Sequence, residues 1–238
     1  EVLAIIEKNA SNPYASLPVQ QGRRIPGIKT VENDVSDGLR YRLRMSPRAD
    51  RADPNRLIAW FHPAGGYGNE LVEKMAARMI ERGFALLVFT QKPTASWSAA
   101  DMERALRSIQ AVGTIEGIDA QRPILMGFSA GGQAALYLWS GGQVELGGLV
   151  LCAAYPVINP SQTGGKIVPL QPPANEAFRK TPIFALVGGA DGGSAIWRQL
   201  HPQYLEAGIP LTLNIIPGKK HEWLFDETRR VDLENWLE

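Results

Sequence analysis

The sequence predicts an α/β protein, a three-layer α/β/α sandwich around a mostly parallel central sheet with little or no cap. Three observations predict it. From residue 57 onward, short apolar runs alternate with segments whose apolar residues recur at helical spacing, the rhythm of right-handed crossovers. Leu57–Phe61, Phe84–Phe89 and Ile183–Val187 are apolar without alternation, as strands covered on both faces must be. Several of these runs then empty into glycine-rich loops, at the strand ends where open α/β sheets hold their ligands.

The elements follow in order. Residues 1–24 are turn-rich after a short apolar start (Val2, Leu3, Ile5, Ile6) and read as an N-terminal arm, with residues 25–238 as one domain. Candidate strands come next at Ile28–Asn33 and Leu39–Met45. The second alternates Leu39, Tyr41, Leu43 and Met45 against arginines, the period-two pattern of a strand with one wet face. No helix separates the two, which predicts an antiparallel edge. After the strand Leu57–Phe61 comes the loop His62-Pro-Ala-Gly-Gly-Tyr-Gly68. Leu71, Val72, Met75, Ala76, Met79 and Ile80 predict a helix that Gly83 ends. The strand Phe84–Phe89, a loop with Pro93 and Trp97, and a helical stripe from Asp101 to Val112 follow. An apolar run from Pro123 leads into a helix-forming segment after Ser129. Leu146–Cys152 reads as a strand and residues 153–180 as a long proline-rich connection, too short for a large helical cap. Ile183–Val187 and Leu211–Ile216 are the last strands, and a closing helix carries Trp223, Leu224, Val231, Trp236 and Leu237.

Bulk composition narrows the function classes. A chain of 238 residues, 45% hydrophobic and 21% charged, has the size and balance of a globular enzyme with a substantial core. A net charge of +1 from scattered lysines and arginines gives no platform for nucleic acid or an anionic membrane. No apolar run approaches the ~18 residues of a membrane span. The single cysteine, Cys152, excludes an internal disulfide and a cysteine-based metal site, and three histidines argue against a multi-histidine centre. The sequence begins at Glu1 without a methionine, which leans toward a secreted or periplasmic protein. Asn9-Ala10-Ser11 matches the glycosylation acceptor pattern, a tripeptide frequent by chance. Nothing in the sequence sets the oligomeric state.

The chemistry centres on Gly127-Phe-Ser-Ala-Gly131, a G-x-S-x-G pattern between an apolar strand and a helix. So sharp a turn pushes the Ser129 hydroxyl above the sheet, and glycines on both sides let strand and helix approach. A serine hydroxyl is a poor nucleophile until a base takes its proton and a carboxylate fixes that base's tautomer. Asp191 and His221 follow the ends of later strands, giving the chain order Ser, Asp, His. His201 is a weaker base because it precedes Pro202 and reads as a helix end, while His62 reads as a hydrogen-bonding brace of its own loop. Glu222 and Asp226 stand too close to His221 in sequence to orient its ring, and Glu176 is a weak reserve. Acyl transfer also needs donors for the developing oxyanion. The Ala130 N–H, next to the nucleophile, is one. Pro63 has no N–H, so Ala64 or Gly65, with Gly66 behind, is expected to supply the other. Phosphate cradling lacks both the G-x-G-x-x-G and the Gly-Lys-Ser/Thr patterns.

Gly127–Gly131, the His62–Gly66 loop, Asp191 and His221 together resemble the α/β-hydrolase superfamily, in its compact serine esterases of the carboxylesterase, phospholipase-like and dienelactone-hydrolase-like kinds. The resemblance covers about residues 25–238. It implies an eight-stranded sheet with one antiparallel strand, a Ser129–His221–Asp191 triad, an ester substrate and no cofactor. One departure is His62-Pro63, where many members carry His-Gly. Candidate substrate-contacting residues at the same sheet edge are Tyr67, Trp97, Phe128 and Tyr155. An open site favours short or medium acyl groups, or bulky esters reached from solvent. The triad alone leaves a peptidase or amidase open, and the fold also admits a catalytically silent binding protein.

Overall fold

The computed structural model describes residues 27–33, 38–65, 69–90, 96–158, 163 and 166–238. The expected N-terminal arm and the Asn9 tripeptide lie outside these residues. Strands β1 (Lys29–Asn33), β2 (Tyr41–Met45), β3 (Asn55–Phe61), β4 (Phe84–Phe89), β5 (Ile118–Phe128), β6 (Gly148–Cys152), β9 (Ile183–Gly188) and β10 (Leu211–Ile216) form one eight-stranded sheet. Its order is β1-β2-β4-β3-β5-β6-β9-β10. β2 runs antiparallel to both neighbours, and every other pairing is parallel. A short antiparallel ribbon, β7 (Val157–Ile158) with β8 (Val168–Pro169), stands apart.

Helices α1 (Asn69–Glu73), α2 (Ala76–Glu81), α3 (Ala99–Val112), α4 (Ala130–Gly141), α5 (Glu176–Arg179), α6 (Gly192–Glu206) and α7 (Glu227–Leu237) account for the described helical residues. Alternation along the strands divides the core into two layers. Leu57, Ala59, Phe61, Leu87, Leu125, Leu151 and Ala185 face α3, α4 and α6. Ile58, Trp60, Leu86, Val88, Met126, Cys152 and Leu186 face α1, α2 and α7. Both faces of the parallel strands are therefore apolar, which is why these strands read as unbroken runs. Each large side chain so buried contributes roughly 1.5–3 kcal/mol. Buried charge is paired: Glu73 on α1 meets Arg42 and Arg44 of β2 at 2.9 and 3.1 Å, and Glu234 on α7 meets Arg78 and Arg82 of α2 at 2.7 and 2.9 Å. No helix among the described residues is long and apolar enough to cross a membrane.

Several boundaries differ from expectation. The 71–80 stripe is two helices, because the Met75 N–H bonds back only three residues to Val72. Both pieces still bury Val72, Met75, Ala76, Met79 and Ile80 against one layer. β5 starts five residues before Pro123. The register with β3 shifts between Arg56 and Ile58, and this irregularity accommodates a residue that cannot donate to the ladder. Pro202 lies inside α6 and does not end it. Arg198, whose carbonyl the proline leaves unbonded, and Pro202 are both exposed, so water can reach that carbonyl. Burial of Ile196, Trp197, Leu200 and Tyr204 outweighs the ~3 kcal/mol proline penalty. Trp223 and Leu224 precede the closing helix, which Asp226 caps by accepting the Arg229 N–H at 3.0 Å.

Candidate active site

β5 ends in the turn the sequence predicts. Ser129 sits at φ 53, ψ −121, a left-handed conformation that costs a non-glycine residue energy. The surrounding glycines make it possible. A Cβ on Gly131 would lie 1.9 Å from the Phe61 carbonyl oxygen, and one on Gly127 would lie 2.4 Å from the Gly131 backbone. Ser129 also occupies the N-cap position of α4, where a serine side chain ordinarily caps the helix. Here it makes no cap bond, since the unusual dihedrals turn Oγ away from the helix. Its backbone N–H donates to the Cys152 carbonyl at 2.9 Å, tying the turn to β6.

The loops after β9 and β10 are locked together. A Cβ on Gly188 would fall 2.3 Å from the Lys220 carbonyl oxygen, so this crossing requires glycine. The Ala190 N–H donates to the Lys219 carbonyl at 2.8 Å and the Gly189 N–H to the Ile216 carbonyl at 2.7 Å. Asp191 caps α6, accepting the Gly193 N–H on Oδ1 at 3.0 Å. Its other oxygen, Oδ2, lies 2.8 Å from His221 Nδ1, and His221 Nε2 lies 2.8 Å from Ser129 Oγ. A carboxylate can only accept, so Nδ1 carries the imidazole proton and Nε2 accepts from the serine hydroxyl. The carboxylate is sealed from water, with the Asp191 side chain 0% exposed and that of His221 13%.

Two contacts around His221 go beyond the sequence reading, which offers Phe128 only as a substrate-contacting candidate. Phe128 stacks on the imidazole at 5.9 Å, and Trp223 meets Phe128 edge-on at 5.7 Å. The thiol of Cys152 accepts the Leu224 N–H at 3.4 Å, bracing the segment after His221. Burial pushes that thiol well above its ordinary range, so it stays protonated. Neither role has a local signature, although Trp223 lies only two residues from His221.

The remaining candidates fall as follows. Ala130 opens α4, where the first backbone N–H groups have no intrahelical acceptor. The loop after β3 runs beside this helix start, because Gly131 abuts Phe61 and His62. Ala64 and Gly65 are half-buried there, with Gly65 at φ 88, while Gly66 and Tyr67 lie outside the described residues. Trp97 is buried in the interior. Its indole N–H donates to the His62 carbonyl at 2.9 Å, and its ring packs on Phe61, His62 and Phe89. It therefore supports the loop from behind. His62 is 1% exposed and Nδ1 lies 2.8 Å from its Pro63 carbonyl acceptor, the bracing role expected. Burial holds the His62 imidazole below its ordinary range, only partly offset by that carbonyl and by Asp101. The Tyr155 ring lies against Gly193, where a Cβ would come within 1.9 Å of it. Burial first, and then the Asp191 charge, push its phenol upward, so it stays protonated. Glu222 turns back to the Lys220 N–H at 3.2 Å, Glu176 pairs with Lys180 at 3.5 Å, and Asp226 is a helix cap. His201 lies within the second half of α6, far along the chain from the serine turn.

No protein-family model and no curated protein matches this sequence. Solved structures do resemble it. An α/β hydrolase enzyme from a Medee basin deep-sea metagenome library is 18% identical, with a TM-score of 0.66 over 90% of this chain and 98% of the other. A fungal esterase from Rhizomucor miehei is 12% identical, with a TM-score of 0.65 over 99% and 94%. A thermophilic esterase from Thermogutta terrifontis is 16% identical, with a TM-score of 0.65 over 89% and 91%. Identities this low speak for architecture alone, and on the sheet order and these likenesses the chain has the α/β-hydrolase fold.

Proposed function

We propose that this protein is a serine hydrolase that cleaves carboxylic esters through an acyl-enzyme. One observation carries the reading: two consecutive 2.8 Å contacts link a strained, half-buried serine hydroxyl to an imidazole and then to a sealed carboxylate. Ser129 Oγ attacks the ester carbonyl carbon while its proton passes to His221 Nε2. The resulting imidazolium is stabilised by Asp191 and returns that proton to the departing alkoxide as the carbon–oxygen bond breaks. Water then attacks the acyl-enzyme, again losing its proton to Nε2, and Ser129 regains a proton as the carboxylate leaves. The oxyanion is held by the Ala130 N–H and by a second donor from Ala64 or Gly65. Losing either donor costs about a hundred- to a thousandfold in rate. Phe128 and Tyr155 border the reacting ester.

Several solved structures of this fold are named esterases, among them esterase B from Lactobacillus rhamnosis inhibited by a tributyrin phosphonate, which makes esters the first substrates to test. The test is a substrate series, nitrophenyl esters of rising acyl length beside peptide nitroanilides, with Ser129→Ala as control. Short and medium esters are expected to turn over, with a loss of ~10⁴-fold or more in the variant. Faster anilide than ester turnover would make the protein a peptidase. A folded protein inert to every substrate would make it a binding protein on a hydrolase scaffold.

A further inference from the structure

β6 ends on Cys152, and that residue touches both partners of the Ser129–His221 contact. It pairs in register with Phe128 of β5 on one side and with Leu186 of β9 on the other, so the middle of the sheet fixes its position. Its backbone carbonyl accepts the Ser129 N–H at 2.9 Å. Its side chain, fully buried in the layer that packs on α1, α2 and α7, reaches the chain just after His221. There the thiol makes two hydrogen bonds: it donates to the Glu222 carbonyl at 3.8 Å and accepts the Leu224 N–H at 3.4 Å. Burial keeps the thiol protonated, so it can donate and accept at once.

These two bonds anchor the backbone that carries the histidine. The Lys219 carbonyl is held by the Ala190 N–H, α7 begins at Glu227, and the chain between them is irregular. Among the described residues, the only backbone groups of residues 221–224 bonded outside the 219–226 stretch are the Glu222 carbonyl and the Leu224 N–H, and both go to Cys152. Stacking on Phe128 holds the face of the imidazole but lets it slide in its own plane, whereas backbone bonds on either side of Trp223 fix where His221 stands. We propose that Cys152 is a positioning residue for the ester hydrolysis proposed above, a role whose kinetic consequence rests on that reading. Its carbonyl sets the nucleophile and its thiol sets the base, so the 2.8 Å Ser129–His221 contact is referenced to one rigid residue. Alanine at this position would leave the buried Leu224 N–H without an acceptor. A buried N–H left unpaired loses more than its bond contributed, so the segment shifts toward water and carries His221 with it. A displacement of ~1 Å costs up to ~10²-fold in rate.

Nitrophenyl ester kinetics and proton NMR of the full chain test this on Cys152→Ala, Cys152→Ser and the control Val150→Ala. Val150 is buried in the same layer, two residues earlier on β6, and its side chain bonds to nothing. Cys152→Ala is expected to lose about tenfold or more in kcat with KM within about twofold, because His221 serves acylation and deacylation alike and both steps slow together. Val150→Ala should keep kcat within about twofold of the unaltered protein. Cys152→Ser, whose hydroxyl can donate and accept from the same place, should be several-fold faster than Cys152→Ala. The His221 Nδ1 proton, held against the Asp191 carboxylate, should give a sharp far-downfield signal in the unaltered and Val150→Ala proteins and a broadened or lost one in Cys152→Ala. An unchanged kcat and downfield signal in Cys152→Ala, a kinetic loss matched by Val150→Ala, or a serine variant no faster than the alanine one would each overturn the proposal. If the unaltered protein cleaves no ester, the function proposed above falls, and the downfield signal alone decides this one. If Cys152→Ala fails to fold, hydrogen exchange in the unaltered protein decides instead. The Leu224 amide should exchange more slowly than that of Trp223, whose N–H has no acceptor among the described residues, and equal rates would overturn the proposal.

Discussion

Replacing Asp191 by asparagine isolates the carboxylate's effect on the imidazole from its effect on the fold. Asp191 has two jobs in the structure: Oδ1 accepts the Gly193 N–H at the start of α6, and Oδ2 accepts from His221 Nδ1. Asparagine is as good an N-cap as aspartate, so its amide oxygen stays on Gly193. The amide NH₂ must then face Nδ1. Two donors cannot face each other across 2.8 Å, so the imidazole proton moves to Nε2 and points at Ser129 Oγ. A base whose accepting nitrogen is already protonated cannot take the serine proton. Loss of the correct tautomer costs ~10⁴-fold in kcat, or about 5.5 kcal/mol of barrier. Stability should scarcely change, whereas Asp191→Ala also loses the cap, about 1 kcal/mol, and should melt about 2–4 °C lower. Nitrophenyl ester hydrolysis and thermal melts of the two variants measure both effects. An asparagine variant within about tenfold of wild-type rate would refute the tautomer argument.

Two further outcomes follow from strain and burial. Ser129→Gly and Ser129→Ala both remove the hydroxyl, but only glycine is at ease at φ 53. The strain of roughly 1–3 kcal/mol is partly offset by glycine's looser unfolded chain, so the glycine variant should unfold later by about 1 kcal/mol in urea. An alanine variant at least as stable as the glycine one would contradict this. His62 is held below its ordinary range by burial, so on acidification the unfolded chain takes the proton first. The unfolded state then binds more protons, and stability falls as the pH drops below the ordinary histidine range, ~6.5, while staying flat above it. Asp50 and Asp226, held below their ordinary values by backbone N–H donors, add their loss only at lower pH. The urea midpoint should therefore drop less between pH 7.5 and 5.5 in His62→Asn than in wild type. Equal drops would show that His62 is not the group responsible.

Much of this architecture was legible in the sequence because burial on both faces writes itself as unbroken apolar runs. The alternation of β2 and the glycine-flanked Ser129 were equally plain, since each reflects a local geometric demand. Other features depend on tertiary packing and carry no local sign. The break between α1 and α2 leaves the apolar stripe intact, so periodicity reads through it. α6 hides behind Gly192, Gly193 and Pro202, residues that weaken a helix locally, and persists because Trp197 and Tyr204 are buried. The β7–β8 ribbon and α5 are too short for any periodic signal. Trp97 is as compatible with a substrate wall as with a core position from sequence alone, and only the fold sets it behind the His62 loop. The strained Ala153, at φ 46, is likewise invisible to residue type.

The most direct measurement is intact-protein mass spectrometry after exposure to a fluorophosphonate, with the adduct mapped to a peptide. The account predicts a single phosphonyl group on Ser129, absent from the Ser129→Ala protein. A folded protein left unmodified, or an adduct on Ser194 or another residue, would contradict it.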